Sequence, residues 1–398
     1  MNEVRRIVVV GIGADGMPGL SAEARQELQR ATVVYGSPRQ LALLDDTVTA
    51  NRHTWPSPML PAVERLLDDA PPAGAIHVVA SGDPLLHGIG GTLIRVHGAH
   101  QVRVLPHVSS VTLACARMGW NAHDTEVISL VTAPVHTAVR SGGRAVVLCR
   151  DTATPAQLAA VLAETGRGAS EFTALELLGG PGERIRTSSA AQWAASPPAV
   201  DALTVVAVRY LPDEPFGPIL PDEAFQHDGQ ITKYTVRAVT LAALAPRPGE
   251  LLWDVGSGSG SIAVQWCRAA RGCRAVAFES NPGRRDRIQA NAHRFGADIE
   301  IRGRAPETFE GAAPPAAIFI GGGVTNSGLL DACLQGLAPG GRLVANAVTA
   351  ESEAMLVDWH SRRGGELFRF QHYRGEPLGG FTGWRPAMPI TQWVVSVP

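Results

Sequence analysis

The stretch LLWDVGSGSGS, from Leu251 to Ser261, carries an apolar strand directly into a turn with a glycine at every second position. Glycine lets the backbone turn sharply and come close to a ligand. The spacing is GxGxG rather than the GxGxxG of dinucleotide sites, so this turn is less suited to a pyrophosphate than to a methionine carboxylate and a ribose. The next predicted strand ends at Glu279, whose carboxylate can accept hydrogen bonds from two ribose hydroxyls. These residues predict a cofactor site; the alternative is a structural turn in which Glu279 is a solvated strand end.

The second half of the chain around this turn reads as one α/β module. Helices are predicted between the first five strands, and the last two strands are expected to form a hairpin at the sheet edge. This order is similar to class I S-adenosylmethionine-dependent methyltransferases, whereas a dehydrogenase more often ends on further βα units. The seven predicted strands are Leu251–Val255, Ala275–Glu279, Ile299–Arg302, Ala317–Ile320, Arg342–Ala347, Leu367–Tyr373 and Gln392–Val397.

The first half contains two further glycine turns at predicted strand ends, VVVGIGADG from Val8 to Gly16 and VVASGDPLLHG from Val78 to Gly88. Alternating strands and helices predict a second α/β module with a largely parallel sheet and a break after about Ser110. Two separate glycine-turn regions indicate two catalytic modules. The predicted strands are Ile7–Val10, Ala31–Tyr35, Ile76–Ala80, Val102–Leu105, Val127–Leu130, Ala145–Cys149 and Leu203–Val208.

The domain boundaries follow from composition. Four prolines and several acidic residues without periodicity fill Leu211–Phe225, which predicts a semi-rigid linker at 211–222. The predicted modules are therefore 1–210, with lobes of about 1–110 and 111–210, and 223–398.

Bulk composition narrows the function classes. A formal net charge of −2 gives no basic footprint for nucleic acid, and no run of about 18 apolar residues predicts a membrane span. Five scattered cysteines without a CxxC pair suit reduced thiols, and no metal site is predicted. The N-terminus starts a strand at once without a signal-peptide pattern. We expect a cytoplasmic protein.

Five motifs of the second half carry a resemblance: HDGQITKYTVRA, DVGSGSGSIAVQW, FESNP, GRAPE and FIGGG, in this order. Together they resemble the decarboxylating precorrin methyltransferase domain of cobalamin biosynthesis, over about Asp222 to Pro398. The resemblance implies methyl transfer to C15 of a corrin precursor and loss of carbon dioxide from the acetate at C12. One departure is Arg304, where an acidic residue is expected in the adenine loop. The implied cofactor-binding residues are Asp254, Gly256, Gly258, Gly260, Glu279, Ala305 and Gly321.

The start of a helix just before Leu251 supplies candidate substrate-orienting residues. Thr232, Lys233 and Arg237 lie close together there, and cations beside helix N–H groups can hold carboxylates. The alternative is a solvated helix start.

The motifs YGSPRQL, SGDPLLHGIGGTL, HVSSVTLACARMGW and LELLGGPGERI of the first half resemble the tetrapyrrole methylase family, in the branch that methylates C5. The resemblance covers about Arg5 to Tyr210 and implies a two-lobed class III fold with the cofactor between the lobes. Asp83 is also a substrate-orienting candidate, or a residue that only caps its own turn. The implied cofactor contacts are Gly82, Asp83, Leu85, Ser109 and Ser110.

Other residues of this first module are less certain candidates for the site. Gly11, Gly13 and Asp15 are expected to face the substrate cleft. A departure occurs at Val131, where a histidine is expected after Ser129 and Leu130. The histidines His87, His107 and His136 are candidate bases, although loop histidines are more often simply exposed.

Taken end to end, the two resemblances imply a fused, bifunctional enzyme of cobalamin biosynthesis. It would use S-adenosylmethionine, releasing S-adenosylhomocysteine, to methylate precorrin-6B at C5 and C15 with decarboxylation, giving precorrin-8. No nucleic-acid or membrane partner is expected. We expect the chain to form a homo-oligomer, and the C-terminal resemblance suggests a tetramer. The alternatives are one active and one vestigial module, an RNA methyltransferase, a nicotinamide dehydrogenase, and a non-catalytic tetrapyrrole-binding protein.

Overall fold

The structure, a computed structural model, describes residues 7–68, 75–212 and 217–397. Residues 1–6, 69–74, 213–216 and 398 of the predicted modules and linker lie outside these ranges. The described residues fall into two compact units, one within Met1–Val135 and Gly142–Leu211, the other within His136–Ser141 and Pro212–Pro398.

The first sheet of the first unit is entirely parallel, as the predicted alternation of strands and helices implies. Its strands are β1 (Ile7–Ile12), β2 (Val33–Gly36), β3 (Asn51–Thr54), β4 (Ile76–Ser81) and β5 (Val102–Leu105), in the order β3-β2-β4-β1-β5. β1 is buried along its whole length, because β4 and β5 flank it and helices cover both faces. The helices are α1 (Ala22–Gln29), α2 (Pro38–Ala42), α3 (Leu60–Glu64) and α4 (Ile89–His97).

The second sheet of this unit corrects the prediction of a largely parallel sheet. Its order is β6-β7-β10-β8-β9, and only β6 and β7 run parallel. The antiparallel strands β8 and β9 were both missed. The sequence of β9, RIRTSS, is polar and lacks an apolar alternation, whereas β8, EFTALE, is buried. The elements are α5 (Ser110–Met118), β6 (Glu126–Ser129), β7 (Arg144–Leu148), α6 (Thr154–Glu164), β8 (Glu171–Glu176), β9 (Arg184–Ser189), α7 (Ala190–Ala195) and β10 (Thr204–Arg209).

The second unit contains the predicted seven-stranded sheet, in the order β13-β12-β11-β14-β15-β19-β16. The first five strands are parallel, and β19 and β16 complete the sheet antiparallel to their neighbours. Contrary to prediction, no helix separates β13 from β14. The elements are α8 (Tyr234–Leu244), β11 (Leu251–Val255), α9 (Ser261–Ala269), β12 (Arg274–Phe278), α10 (Pro282–Phe295), β13 (Ile299–Arg302), β14 (Ala317–Ile320), α11 (Leu329–Gly336), β15 (Arg342–Ala347), α12 (Ala350–Arg363), β16 (Glu366–Phe370) and β19 (Ile390–Ser396).

An unpredicted hairpin interrupts the connection between β16 and β19. β17 (Tyr373–Leu378) and β18 (Phe381–Pro386) form a separate two-stranded sheet. The final pair of sheet strands is therefore antiparallel, as expected, but is not joined by a tight turn. The hairpin carries highly exposed side chains, including Phe381 and Trp384.

The end of the predicted linker is packed rather than free. Leu220 is fully buried and joins a core with Phe225 and Phe295. Its backbone N–H donates to Gln265 Oε1 at 2.6 Å, and the Gln265 amide donates to the Pro218 carbonyl at 3.1 Å. This segment therefore forms part of the second unit and fixes the approach to α8.

Candidate active sites

A cavity of about 720 Å³ lies at the carboxyl edge of the second unit's sheet. This edge is where open α/β sheets place their ligands. The loops after β11, β12, β13 and β14 all contribute to its wall, so the glycine turn, the acidic strand end and the two later glycine motifs converge on one space. The predicted residues on the wall are Thr232, Lys233, Gly256, Gly258, Glu279, Ala305 and Gly321.

Close backbone approach explains the glycines of this cavity. Gly256 has a φ of +68°, and a Cβ added there would lie 2.9 Å from both the N and the O of Gly322. The Gly256 N–H donates to the Phe278 carbonyl at 3.0 Å, which ties the turn to the end of β12. A side chain at 256 would therefore push apart the two loops that frame the cavity.

Glu279 lies on the cavity wall and is almost buried. Its Oε2 accepts the Gly258 N–H at 2.9 Å, and its Oε1 accepts the Asn281 N–H at 2.9 Å. Each carboxylate oxygen can accept a further hydrogen bond. The arrangement fixes the carboxylate against the glycine turn and leaves acceptor capacity toward the cavity.

Asp254 lies beneath the turn rather than on the cavity wall. Its Oδ2 accepts hydrogen bonds from Ser257 Oγ at 2.7 Å and from the Ala263 N–H at 3.1 Å, while its Oδ1 has no partner among the described residues. Complete burial raises the pKa of Asp254 to about 6. The expected direct contact with a ligand does not fit this placement, nor does that of Gly260, which caps α9 against Ile288.

Arg237 requires the largest correction. The side chain is 0 % exposed and does not line the cavity. Its guanidinium donates to Asp222 Oδ1 at 2.9 Å and to the carbonyls of Thr232 and Leu220, and it lies over the Phe225 ring. Arg237 is therefore a positioning residue that holds the segment before α8, and it is not available to substrate carboxylates.

Lys233 does lie on the cavity wall, at the N-cap of α8. It is the only lysine in the chain, beside 34 arginines. Its side chain is 57 % exposed, and its Nζ is 3.8 Å from Asp222 Oδ2, a loose ion pair that a ligand carboxylate can replace. Lys233 and Thr232 thus keep the placement that the sequence predicts.

Several cavity residues were not predicted. The cavity wall also includes Asn346, His372, Met388 and Ile390. Asn346 is held by buried neighbours, donating to Thr240 Oγ1 and accepting from Gln392 Nε2, both at 2.9 Å. No local motif marks these residues: Asn346 and Ile390 lie on β15 and β19, and His372 and Met388 flank the inserted hairpin. The departure Arg304 also lines the wall with an exposed side chain.

A second cavity, of about 90 Å³, lies between the two sheets of the first unit. The first lobe contributes Gly82, Asp83, Ser109 and Ser110, all predicted. The second lobe contributes apolar side chains, among them Leu175 and Val205. The position between two lobes agrees with the expectation for a class III fold.

Asp83 lies on the cleft wall, as predicted, whereas Leu85 does not. Asp83 Oδ1 accepts the Leu85 N–H at 2.9 Å, so this carboxylate caps its own turn while lining the cleft. Leu85 is 54 % exposed and outside the cleft wall, which Leu86 lines instead.

The first glycine turn supports the cleft from below. A Cβ at Gly11 would lie 2.1 Å from the Gly82 carbonyl, so glycine is required for the two turns to meet. Gly13 lines the cleft, whereas Gly11 and Asp15 do not. Asp15 Oδ1 lies 3.4 Å from His107 Nε2, so this histidine stands beside the first glycine turn, and it does not line the cleft.

The remaining candidates of this module lie elsewhere. His136 is buried in the second unit, where its Nε2 is 3.1 Å from the Ala297 carbonyl and its ring stacks on His293. Neither His87 nor the departure Val131 lines the cleft. An unpredicted cation, Arg39, does line it and donates to Ser81 Oγ at 2.6 Å.

The two cavities on two unlike α/β folds define a methyltransferase with two modules, and comparison with known proteins agrees. The family described as precorrin methyltransferase domain matches residues 223–397, and the tetrapyrrole (corrin/porphyrin) methylases match residues 6–194. The precorrin-6Y C(5,15)-methyltransferase [decarboxylating] of Mycobacterium tuberculosis (strain CDC 1551 / Oshkosh) is 66% identical over 98% of this chain and 99% of the relative. The chain therefore belongs to the precorrin-6Y C(5,15)-methyltransferase (decarboxylating) family, and it is an enzyme.

The chain is also similar to a second full-length relative and to a solved structure of a C-terminal domain. The Sinorhizobium sp protein of the same name is 44% identical over 97% of this chain and 95% of its own. The crystal structure of the C-terminal domain of precorrin-6Y C5,15-methyltransferase from Rhodobacter capsulatus is 46% identical and covers 46% of this chain and 100% of that one, with a TM-score of 0.43. Membership of a methyltransferase family implies the use of S-adenosylmethionine.

The described residues contain neither a membrane-spanning helix nor a cluster of metal-binding side chains. Within residues 7–68, 75–212 and 217–397, no helix has the length and apolar character needed to cross a membrane. Over the same ranges, no group of three or more His, Cys, Asp and Glu side chains is arranged to hold a metal ion.

Proposed function

We propose that the enzyme methylates precorrin-6B at C5 in the N-terminal module (1–210) and at C15 in the C-terminal module (223–398), and removes the C12 acetate carboxyl as carbon dioxide, giving precorrin-8. The observation that carries this proposal is the presence of a separate glycine-framed cavity in each unit. The full-length similarity to decarboxylating relatives supports both activities on one chain.

The residues present fit S-adenosylmethionine in the C-terminal cavity. The space of about 720 Å³ lies within the range of small-molecule sites. The approach of Gly256 to Gly322 forms a cradle that any Cβ would fill, and Glu279 offers acceptors for ribose hydroxyls. We propose that Gly256, Gly258, Glu279, Ala305 and Gly321 hold this cofactor, with Asp254 and Gly260 supporting the turn from beneath.

In the N-terminal module we propose that Gly82, Asp83, Ser109 and Ser110 hold the second S-adenosylmethionine. Ser109 and Ser110 stand at the start of α5, and the Ser109 hydroxyl accepts the Thr112 N–H at 3.1 Å. The cleft of about 90 Å³ is smaller than such a ligand requires, so binding must separate the two lobes. Leu85 lies outside the cleft wall and has no place in this proposal.

Bound S-adenosylmethionine supplies a methyl group on a positively charged sulfonium. The chain's own task is then orientation, because an electron-rich meso carbon of the tetrapyrrole is itself the nucleophile. In the C-terminal cavity Lys233 and Thr232 would hold substrate carboxylates, while Val348, Met388 and Ile390 give an apolar wall. Such a wall excludes water and favours a transfer in which charge disperses.

Methylation at C15 should precede decarboxylation, since the iminium formed by methylation can accept the electron pair that carbon dioxide leaves behind. The test uses the full-length enzyme with precorrin-6B and methyl-labelled S-adenosylmethionine. We expect two methyl groups and one carbon dioxide per product. A single methyl group would mean one vestigial module, and rapid carbon dioxide release without the methyl donor would contradict the proposed order.

The role of Lys233 can be tested separately. Removing the ammonium in Lys233→Met should raise KM for precorrin-6B about tenfold, the equivalent of one charge-assisted hydrogen bond. S-adenosylhomocysteine affinity should stay the same. Lys233→Arg keeps the charge and should recover most of the loss; equal KM values in all three proteins would rule out the role.

We also propose that the chain forms a homo-oligomer, with a tetramer as the expected state. Exposed Leu378, Phe381 and Trp384 on the β17–β18 hairpin support self-association. Sedimentation of the full chain should show an oligomer that Phe381→Ser and Trp384→Ser weaken; a monomer at micromolar concentration would contradict it.

A further inference from the structure

We propose that His372 donates the proton that replaces carbon dioxide on the C12 side chain. The inference rests on the proposed function, because it concerns the step that follows decarboxylation in the C-terminal cavity.

The chemistry demands such a donor. When the bond between the acetate methylene and its carboxyl carbon breaks, the electron pair passes into the conjugated ring and neutralises the iminium nitrogen. Carbon dioxide leaves, and the methylene carbon must then take up a proton to become a methyl group, which restores the iminium. Positioned general acids accelerate such transfers by about 10²–10⁴-fold.

His372 is the one histidine among the described residues that line this cavity. It follows β16, and its side chain is half-buried. No hydrogen bond or ion pair engages its imidazole within the part of the chain that the structure describes. The imidazole therefore borders the cavity without a protein partner among the described residues, and histidine is the side chain that most often serves as a general acid or base in enzymes.

The backbone around His372 is fixed at the base of the hairpin. The Ala387 N–H donates to the His372 carbonyl at 2.9 Å, and the neighbouring Gln371 amide donates to the Ala387 carbonyl at 2.7 Å. Ala387 and Met388 line the same wall. The imidazole is therefore carried on a braced loop beside apolar side chains, where the departing carboxyl would be poorly hydrated.

The other ionisable residues of the wall are less suited. Glu279 accepts N–H donors of the glycine turn and the next loop, and its remaining acceptor capacity is assigned above to ribose hydroxyls. Arg284 is ion-paired with Asp228, and an arginine does not release its proton. Lys233 faces Asp222, and Arg304 is again a guanidinium.

In the proposed step, the His372 imidazolium transfers its proton to the methylene carbon and becomes a neutral imidazole. Water then returns a proton to the ring. No oxidant, reductant or further reactant is needed, and methyl transfer itself does not involve His372.

The experiment traps the species that precedes protonation. The full-length enzyme reacts with precorrin-6B and S-adenosylmethionine in H₂O, and samples are quenched in acidic D₂O. Molecules not yet protonated gain deuterium in the C12 methyl group. We expect little label with the wild type and at least about tenfold more at early times with His372→Gln. S-adenosylhomocysteine formation and carbon dioxide release should change less than about threefold.

Two further variants separate a chemical role from a structural one. His360→Gln, on α12 and outside the cavity wall, should behave like the wild type. His372→Ala should show the same label as His372→Gln and lose it when imidazole is added. Wild-type label in both His372 variants, or label insensitive to imidazole, overturns the inference. If the wild type itself releases no carbon dioxide, the proposed function fails instead.

Discussion

The two cavities of this chain belong to one enzyme but are built in opposite ways. The C-terminal cavity is wide, lies on one sheet edge and is framed by loops that are bonded to each other. The N-terminal cleft is narrow and lies between two sheets, with polar turns on one side and leucine and valine side chains on the other. A site on a single edge is preformed, whereas a site between lobes depends on how far the lobes separate.

The largest expected difference between the two sites is in the stability lost when an arginine near each site, Arg237 or Arg39, is replaced by alanine. Arg237→Ala removes a fully buried guanidinium and leaves Asp222 without its close partner, so we expect a loss of about 3–5 kcal/mol in unfolding free energy. Arg39→Ala removes an exposed cation and should cost less than about 0.5 kcal/mol. Denaturant titration of the full chain measures both; similar losses would show that the buried network contributes little.

A pH titration of stability tests the preformed turn. Because burial raises the folded-state pKa of Asp254 to about 6, above its unfolded value, stability from this group is full below about pH 4 and is lost as the pH rises through 6. The loss should reach about 3 kcal/mol for roughly two pKa units. Asp254→Asn should remove this slope, as followed by thermal unfolding from pH 4 to 7. An unchanged slope would place the titration elsewhere.

The glycine cradle offers a third test. Gly256→Ala introduces a Cβ against the Gly322 backbone and should weaken S-adenosylhomocysteine binding in the C-terminal module by about 10–100-fold, for about 1–3 kcal/mol of strain. Gly340→Ala is the matched control, because Gly340 has a φ of +72° and no atom within 4 Å of an added Cβ. Isothermal titration of S-adenosylhomocysteine measures both affinities. Both variants carry the strain of a positive φ, but only Gly256→Ala also places a Cβ against the facing loop, so equal weakening in both would argue against the cradle.

The smallest effect is expected at the N-terminal cleft. Arg39 faces this cleft, and among the described residues no carboxylate forms an ion pair with it. Arg39→Ala should raise KM for C5 methylation about tenfold by loss of one cationic contact to a substrate carboxylate. C15 methylation should not change. A parallel fall in both rates would indicate a general defect.

The sequence predicted the parts of these sites that are local. The turn from Asp254 to Gly260 and the strand end at Glu279 are each encoded within a few residues, so glycine spacing and strand order located the C-terminal cavity. The same holds for Gly82 and Ser110 in the first module. The seven-stranded sheet was predicted as well, because most of its strands carry an apolar run; β13, IEIR, alternates instead.

Features that depend on distant partners were missed or wrong. The burial of Arg237 depends on how Leu220 and Asp222 fold back, which no local pattern shows. Strand β9 and the β17–β18 hairpin have polar or exposed sequences that lack the usual alternation. His372 reaches the cavity through that hairpin and carries no motif of its own.

The most direct test of two working sites is calorimetric titration of S-adenosylhomocysteine into the full-length chain, into Gly256→Ala and into Ser110→Leu, which fills the N-terminal cleft. We predict two sites in the wild type; Gly256→Ala should weaken the C-terminal site alone by about 10–100-fold, and Ser110→Leu should weaken the N-terminal site alone. A single site in the wild type that only Gly256→Ala weakens would contradict the proposal that both modules are methyltransferases.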